Sequence, residues 1–560
     1  MKATETRRRK KEAPALQDRS ISYQAGSKRP QRHLADFLFP PWPVHEKLAL
    51  GPESPGGRRW LFPFVFPVFP GPTLNRFGTM LRRIQFVLFI LLLWPCASQA
   101  TEYAIVTTVE IRNLSQNLAA FADFKTSRGL NVSIFDETDW AGTGLVGDAA
   151  AEALRTFLQS VESQSGLDYV LLIGDPRSQI GPLPMKTLYP RTNGLVATSP
   201  NGWNANCDFA QVAVPSDYYY ADLDGNWDLD GDGLAGEFGS STASTGSTGD
   251  FGPGGIERAS DALVGRIPVY AHNASALAAG VQDLDHILLK TMNYQDADPL
   301  TIGWRNTALL AAEGANRLFW GEATSNEVLL PSNYTVKRAY DADVCLSTTP
   351  QTCDPNLTTI PEATTCSVAN VSDLWQDTTP GIVSWLTHGG GWGAQAVMNA
   401  SEATQLDDDY PVITFQASCY NSQPSQTNNL SYALLKNGAI ATVGATAVSH
   451  GPGSPVTLNS GNHGAGNAGM SYHFIERIGP MGQSVGEALH EMKDTQDLYN
   501  RCWYWQNTVA FNLYGDPEVR LLDAQSTAVP SWRPFGIGLL MLLMTVSGSL
   551  MVIRRSTRTG

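Results

Sequence analysis

Between Tyr103 and about Leu522 the chain alternates short apolar, β-branched runs with longer stretches whose apolar residues recur at helical spacing. The runs "YAIVTT", "NVSIFD" and "YVLLIGD" predict buried strands, and "LSQNLAAFADFKTSRG" and "AAEALRTFLQSVESQSG" predict amphipathic helices between them. This βαβ rhythm implies an α/β fold with mainly parallel sheets flanked by helices, and Gly129 and Gly166 stand where helices should end. The rhythm restarts after about residue 300 with "WRNTALLAAEGA", "GIVSWLTHGG", "YPVITFQASCYN", "NNLSYALLKNG" and "AIATVGATAV". Two lobes are expected, 101–290 and 291–523, joined near the helical stretch "ALAAGVQDLDHILLKTMNYQD".

Both ends break this pattern. Residues 1–79 carry "RRRKK", "PPWP" and "FPFVFPVFPGP", without periodicity, and 14 Lys/Arg against 6 Asp/Glu give them a local charge of +8. They read as a disordered segment, or as upstream sequence ahead of a true start at Met80. Residues 80–100, "MLRRIQFVLFILLLWPCASQA", have the basic, apolar and small-residue parts of a secretory signal, with cleavage expected after Ala100. At the other end, a linker over 524–534 leads to a predicted helix over 535–553 that contains "GIGLLMLLMTVSGSLMVI", about the length a bilayer core needs. The basic tail 554–560 would stay cytoplasmic. Helix and tail read either as a plain membrane anchor or as a tripartite sorting signal for a membrane protease. In both cases the protein is expected at the cell envelope or surface, tethered or released after processing.

Charge and cysteines agree with export. The formal charge of −14, less the +8 of the first 79 residues, leaves −22 on the remainder, and charged residues make up only 16% of the chain. This composition excludes a phosphate-binding basic face, so no nucleic-acid partner is expected. Six cysteines follow the signal: Cys207, Cys345, Cys353, Cys366, Cys419 and Cys502. Cys345, Cys353 and Cys366 fall in a Thr/Pro-rich stretch with the composition of a disulfide-stapled loop. If one of the six is a catalytic thiol, an odd number remains for pairing.

The stretch "SDYYYADLDGNWDLDGDGLAGEFG" packs Asp222, Asp224, Asp228, Asp230, Asp232 and Glu237 into 16 residues. So many carboxylates repel unless they are solvated or neutralised by a cation. Asp228, Asp230, Asp232 and Gly233 match positions 1, 3, 5 and 6 of a calcium loop, but position 12 is Gly239 and not a bidentate Glu. The reading is a structural calcium loop of another type, with a solvated acidic turn as the alternative.

Two apolar runs end in reactive side chains: "VSWLTHGGG" in His388 and "VITFQASCYN" in Cys419. In parallel sheets, functional side chains gather at the C-terminal ends of strands. Glycines after His388 let backbone approach a ligand closely. An imidazole near a thiol can generate a nucleophile able to attack an amide carbonyl.

"THGG" and "QASC", 31 residues apart, resemble the His-Gly and Ala-x-Cys motifs of the gingipain family of cysteine peptidases, relatives of caspases and legumains. "YVLLIGD", "SDYYYADLDGNWDLDGDG", "ALVGRIPV" and "FNLYGDPEVRL" are similar to strings those peptidases carry, so the resemblance covers roughly 102–522. It implies two caspase-like lobes and an endopeptidase acting on proteins or peptides, with Cys419 as nucleophile and His388 as general acid/base. Backbone N–H groups of Gly389 and Cys419 would form the oxyanion hole, and Glu313 in "LLAAEGA" would orient His388. The position of an arginine-selecting carboxylate is held by Thr324, with Glu322 two residues earlier, which argues against strict arginine preference. Trp392 is the candidate pocket wall. Since the first strand follows the signal directly, activation by removal of a long propeptide is not expected. The alternative is a surface adhesion or scaffold protein that retains the fold without useful turnover.

Overall fold

A computed structural model describes residues 101–191, 212–242, 247–271, 273–314, 317–342, 357, 359–451, 466–498 and 502–522. The segment 1–79, the expected signal, the linker, the 535–553 helix and the basic tail lie outside them. Among the described residues, no helix is long and apolar enough to cross a membrane.

Ten strands form one sheet. In chain order they are β1 (Thr101–Val106), β2 (Leu130–Phe135), β3 (Tyr169–Gly174), β4 (Leu263–Pro268), β5 (Thr307–Ala312), β6 (Thr335–Tyr340), β7 (Ile382–Leu386), β8 (Val412–Ala417), β9 (Ala439–Ala445) and β10 (Phe511–Gly515). Across the sheet the order is β6-β5-β7-β8-β9-β10-β4-β3-β1-β2. Every pairing is parallel except β9 with β10, which is antiparallel. The two expected lobes are thus two halves of one continuous sheet. β1 to β4 supply one half and β5 to β9 the other. β10, the last described strand, joins them by pairing with β9 and β4.

The strands are apolar on both faces because both are covered by helices. On β1, Tyr103 and Ile105 enter one core and Ala104 and Val106 the other; on β3, Tyr169 and Leu171 alternate with Val170 and Leu172 in the same way. Helices Gly147–Ser165, Asn467–Ile478 and Val485–Thr495 cover one face. Helices Leu118–Ser127 and Ala274–Gln295 cover the other at one end, and Val368–Thr378 covers it at the opposite end. Local chemistry sets the helix ends: Ser484 and Glu487 form a reciprocal capping box, and Gly129 and Gly166 follow their helices at φ +95° and +76°.

Cys366 does not belong to a stapled loop. It is a free thiol buried against β5 and β7, where its N–H donates to Asp341 and burial pushes its thiol pKa up to about 12. Cys502 is disulfide-bonded, and because Cys366 and Cys419 are free its partner lies outside the described residues.

Candidate active site

Strand register brings the predicted residues together. Leu386 at the end of β7 pairs with Ala312 of β5 on one side and with Ala417 of β8 on the other. The residues that follow these three, Glu313, Thr387-His388 and Ser418-Cys419, therefore leave the sheet as neighbours at its C-terminal edge. Glu313 N–H donates to Leu386 O, and Thr387 N–H to Ala417 O, each at 3.3 Å.

Gly389 lies against the backbone of Cys419. A Cβ there would stand 2.5 Å from Cys419 O and 2.9 Å from Cys419 N, so only glycine fits. Gly389–Gly390 and Gly393–Ala394 form a small antiparallel hairpin with Trp392 in its turn, 65% exposed. A buried network fixes the hairpin to the Cys419 turn. Trp385 Nε1 donates to Ser418 Oγ at 3.0 Å, Ser418 Oγ donates to Asn421 Oδ1, and Asn421 Nδ2 donates to Gly390 O and Gly393 O at 2.9 and 3.1 Å. Tyr420 holds a left-handed φ of +61°, secured by its N–H to Ala447 O at 3.0 Å. Among the described residues Cys419 N–H has no hydrogen-bond acceptor.

The structure does not bring Cys419 Sγ into a hydrogen bond with His388. The sulfur faces Ser449, whose N–H donates to it at 3.4 Å and whose carbonyl lies 3.6 Å away. His388 is exposed, and Arg317 Nη2 donates to its Nε2 at 2.6 Å. A guanidinium is always a donor, so Nε2 is the acceptor in this contact. Arg317 also pairs with Glu313, whose carboxylate accepts from Gln395 Nε2 at 3.1 Å and Thr387 Oγ1 at 3.4 Å. Glu313 thus reaches His388 through an arginine and not directly. Arg317, Ser449, Asn421 and Trp385 were not singled out from the sequence. Their contacts with His388, Cys419, Gly390 and Ser418 respectively join residues distant in the chain, and no local signal marks them.

Thr324 and Glu322 are both buried. Thr324 Oγ1 donates to Trp320 O at 3.0 Å, on the wall of a cleft of only about 20 Å³ between Trp320 and Trp385. Glu322 is taken by Arg338, which donates to it at 2.6 Å. Neither offers a free carboxylate to an arginine side chain.

The acidic residues divide into two sets. Asp228, Asp230 and Asp232 can bring oxygens within 4.8 Å of one another, as can Asp222 and Asp224 with Asp261. Gly233 N–H donates back to Asp228 at 3.2 Å, closing the loop at the position where the sequence placed its turn glycine. Glu237 stands beside Asp250, a fully buried residue that the sequence pattern missed because it lies beyond the loop. Asp250 accepts from the N–H groups of Leu229, Gly236 and Glu237 at 2.7 to 2.8 Å. Burial first, then neighbouring carboxylates, pushes Glu237 up to about 8; burial also pushes Asp250 up to about 7 and Asp222 up to about 6. Among the described residues Asp222 Oδ2 is buried with no close hydrogen-bond donor. Hard oxygen donors with an unmatched carboxylate fit a hard divalent cation. The loop is held rigidly from outside, since Arg155 Nη2 donates to Asp222 O at 2.8 Å and Trp505 Nε1 to Gly236 O at 2.7 Å.

A model described as peptidase family C25 matches residues 97–522. The chain belongs to that family. Members of the C25 family are cysteine peptidases, hydrolases of proteins or peptides, and the expected family is thereby confirmed. Among solved structures, the C25 chain is similar to the crystal structure of the Arg-specific cysteine proteinase gingipain R (RgpB). The identity is 15% and the TM-score 0.50, over 75% of this chain and 78% of that one. It is also matched by the complex of the pro- and mature domains of RgpB from Porphyromonas gingivalis, at 15% identity and TM-score 0.46, over 75% of this chain and 79% of that one. The first likeness supports the shared caspase-like architecture. No curated protein matches the C25 chain significantly by sequence.

The glycine contact in this C25 site gives a direct test of the backbone donors. Gly389→Ala is expected to lower kcat/KM on any cleaved peptide by about a hundredfold, the scale of one displaced oxyanion donor, and to lower the melting temperature as well, because the added Cβ must push the Cys419 backbone aside. Unchanged kinetics in a folded variant would remove Gly389 from the site.

Proposed function

We propose that this family member is an exported cysteine endopeptidase that works through a Cys419–His388 dyad and a thioester acyl-enzyme. The observation that carries the reading is the aligned row Ala312, Leu386, Ala417, which delivers Glu313, His388 and Cys419 to one edge of the sheet with Gly389 against the nucleophile's backbone. In the first step Cys419 Sγ bonds to the scissile carbonyl carbon, and the thiol proton passes to His388. The N–H groups of Gly389 and Cys419 donate hydrogen bonds to the developing oxyanion. His388 then gives the proton to the departing amine as the C–N bond breaks, and water hydrolyses the thioester. His388 can carry that proton only after Arg317 releases Nε2, and Glu313 gives the guanidinium a partner to retain. Trp392, exposed beside the hairpin, would contact substrate; Thr324 would bound the buried cleft.

Export is supported by the signal-like segment 80–100 and by the disulfide at Cys502, which persists in an oxidising compartment. The 535–553 segment would then tether the protein or direct its processing by a sorting protease.

The test is an active-site-directed thiol probe on the purified protein, with calcium present, followed by a mixed peptide library. Labelling of Cys419 and discrete cleavage products support the reading. No label and no cleavage overturn it in favour of the catalytically weak scaffold, which the engagement of His388 by Arg317 would then explain.

The acidic loop is proposed to hold structural calcium through Asp228, Asp230 and Asp232 and through Asp222, Asp224 and Asp261, with Glu237 as a further nearby carboxylate. The ion would neutralise the crowded carboxylates. At free calcium about a hundredfold above its dissociation constant, binding adds about 2.7 kcal/mol of stability. Chelation is therefore expected to lower the melting temperature by several degrees, and Asp222→Asn to blunt that response. Superimposable melts with calcium and with chelator would exclude the ion.

A further inference from the structure

His388 and Cys419 are each engaged by something other than the other. Arg317 divides its fork between two partners: Nη2 donates to His388 Nε2 at 2.6 Å, while Nη1 donates to Glu313 O at 2.9 Å and pairs with the Glu313 carboxylate. An imidazole that accepts at Nε2 carries its proton on Nδ1. While this contact holds, Nε2 is occupied and Nδ1 is already protonated, so neither nitrogen can take a proton from a thiol.

The thiol is satisfied separately. Cys419 Sγ donates to Ser449 O at 3.6 Å and accepts from Ser449 N–H at 3.4 Å. That seat is itself held, since Asn467 Nδ2 donates to Ser449 Oγ at 3.0 Å and Asn467 N–H donates to His450 O at 2.9 Å. The sulfur thus rests on the segment after β9, on one flank of β8, and the imidazole is held by the turn after β5, beyond the other flank.

The backbone around both groups is tied down. His388 O accepts from Gln395 N–H at 2.8 Å, and Tyr420 N–H donates to Ala447 O at 3.0 Å. Rotation about side-chain bonds is then the motion that would join sulfur and ring. The base of Arg317 is anchored too: its N–H donates to Gly314 O at 2.9 Å, and Gly314 N–H donates to Asp341 at 2.8 Å. Its side chain is 24% exposed, so Nη2 can turn toward solvent while Nη1 stays on Glu313.

We propose that Arg317 is a latch that keeps the dyad apart in a resting state, and that release of its Nη2 from His388, with the guanidinium retained on Glu313, is the step that assembles the dyad. The proposal rests on the peptidase reading above. Arg317 acts through His388, as a positioning residue. The observed rate scales with the fraction of molecules in which the latch is open. Removing the arginine should therefore make the protein faster, the opposite of losing a support.

The test measures the rate of Cys419 alkylation by iodoacetamide and kcat/KM on a cleaved library peptide, using the full-length protein with calcium present. Wild type is compared with Arg317→Met, Arg317→Lys, His388→Ala and Arg317→Met/His388→Ala. Arg317→Met removes the fork, whereas Arg317→Lys keeps a single ammonium for Glu313 and loses the second arm toward His388. Both are expected to raise alkylation and kcat/KM at least about fivefold, the scale of one hydrogen bond from a charged donor. Melting temperatures should stay near wild type because the side chain is partly exposed. The acceleration of alkylation should vanish when His388 is replaced by Ala. Rates equal to or below wild type in both folded variants, or an acceleration that persists without His388, overturn the latch alone. Absence of peptide cleavage by wild type and by both single Arg317 variants, all folded, overturns the peptidase reading and the latch with it.

Discussion

Cys419→Ala is expected to reduce peptide hydrolysis by about a thousandfold or more, to the background of the assay, because removing a nucleophile leaves only what binding and oxyanion donors contribute. The fold should survive. Cys419 is only partly buried and its sulfur makes weak contacts with Ser449 at 3.4 and 3.6 Å, so its loss leaves no large cavity and no stranded charge. The melting temperature should therefore stay close to wild type while kcat disappears. His388→Ala should cost about a hundredfold to ten-thousandfold, the range of a general acid/base, with little change in KM. The pair should be far from additive, since a nucleophile without its base and a base without its nucleophile are nearly equivalent losses. Steady-state kinetics on a peptide that the wild type cleaves, with thermal melts of each variant, checks all three statements. Cys419→Ala retaining more than about a tenth of wild-type kcat/KM would exclude the dyad.

The largest effect on stability is expected at Arg266, on the strand beside the junction of the two halves. Arg266 is fully buried on β4 and donates to both Asp217 oxygens, at 2.8 and 2.6 Å, and to Leu183 O at 2.7 Å. Asp217 in turn receives no other side-chain donor among the described residues, while its N–H donates to Asn512 Oδ1 on β10 at 2.8 Å. Arg266→Met would strand a buried carboxylate and is expected to cost about 3–5 kcal/mol. Asp217→Asn/Arg266→Met should recover part of that loss, because the double change removes both charges and keeps comparable volume. Chemical denaturation of the two variants measures the difference. Equal stability for the single and double changes would mean that the pair contributes through packing and not through charge.

Much of the molecule was legible along the chain. The βαβ rhythm predicted strands that the structure places at 101–106, 130–135, 169–174, 307–312, 382–386, 412–417 and 439–445, because parallel strands buried on both faces must be continuously apolar. Gly129 and Gly166 marked helix ends because only glycine takes their left-handed φ without strain. His388 and Cys419 were recognisable because each ends an apolar run, and Gly389 because it follows the histidine.

Register was not legible. That Leu386 aligns with both Ala312 and Ala417 depends on hydrogen bonds between strands whose spacing in sequence says nothing about their neighbours. The same holds for β10, which closes the gap between the halves although it comes last among the described strands. Cys366 looked like a staple by composition, yet it is a buried free thiol because its location under β5 and β7 gives it no partner sulfur.

The sequence by itself determined the periodicities, the turn glycines and the chemical types available at strand ends, since each of these follows from local backbone sterics and from side chains a few residues apart. Only the tertiary structure decided who meets whom: Arg317 on His388, Ser449 on Cys419, Asp261 beside Asp222, Tyr420 beside Val146 and Thr446 in one cavity wall. Such contacts join residues distant in the chain, and short-range interactions carry no information about which distant surfaces packing will bring within hydrogen-bond reach.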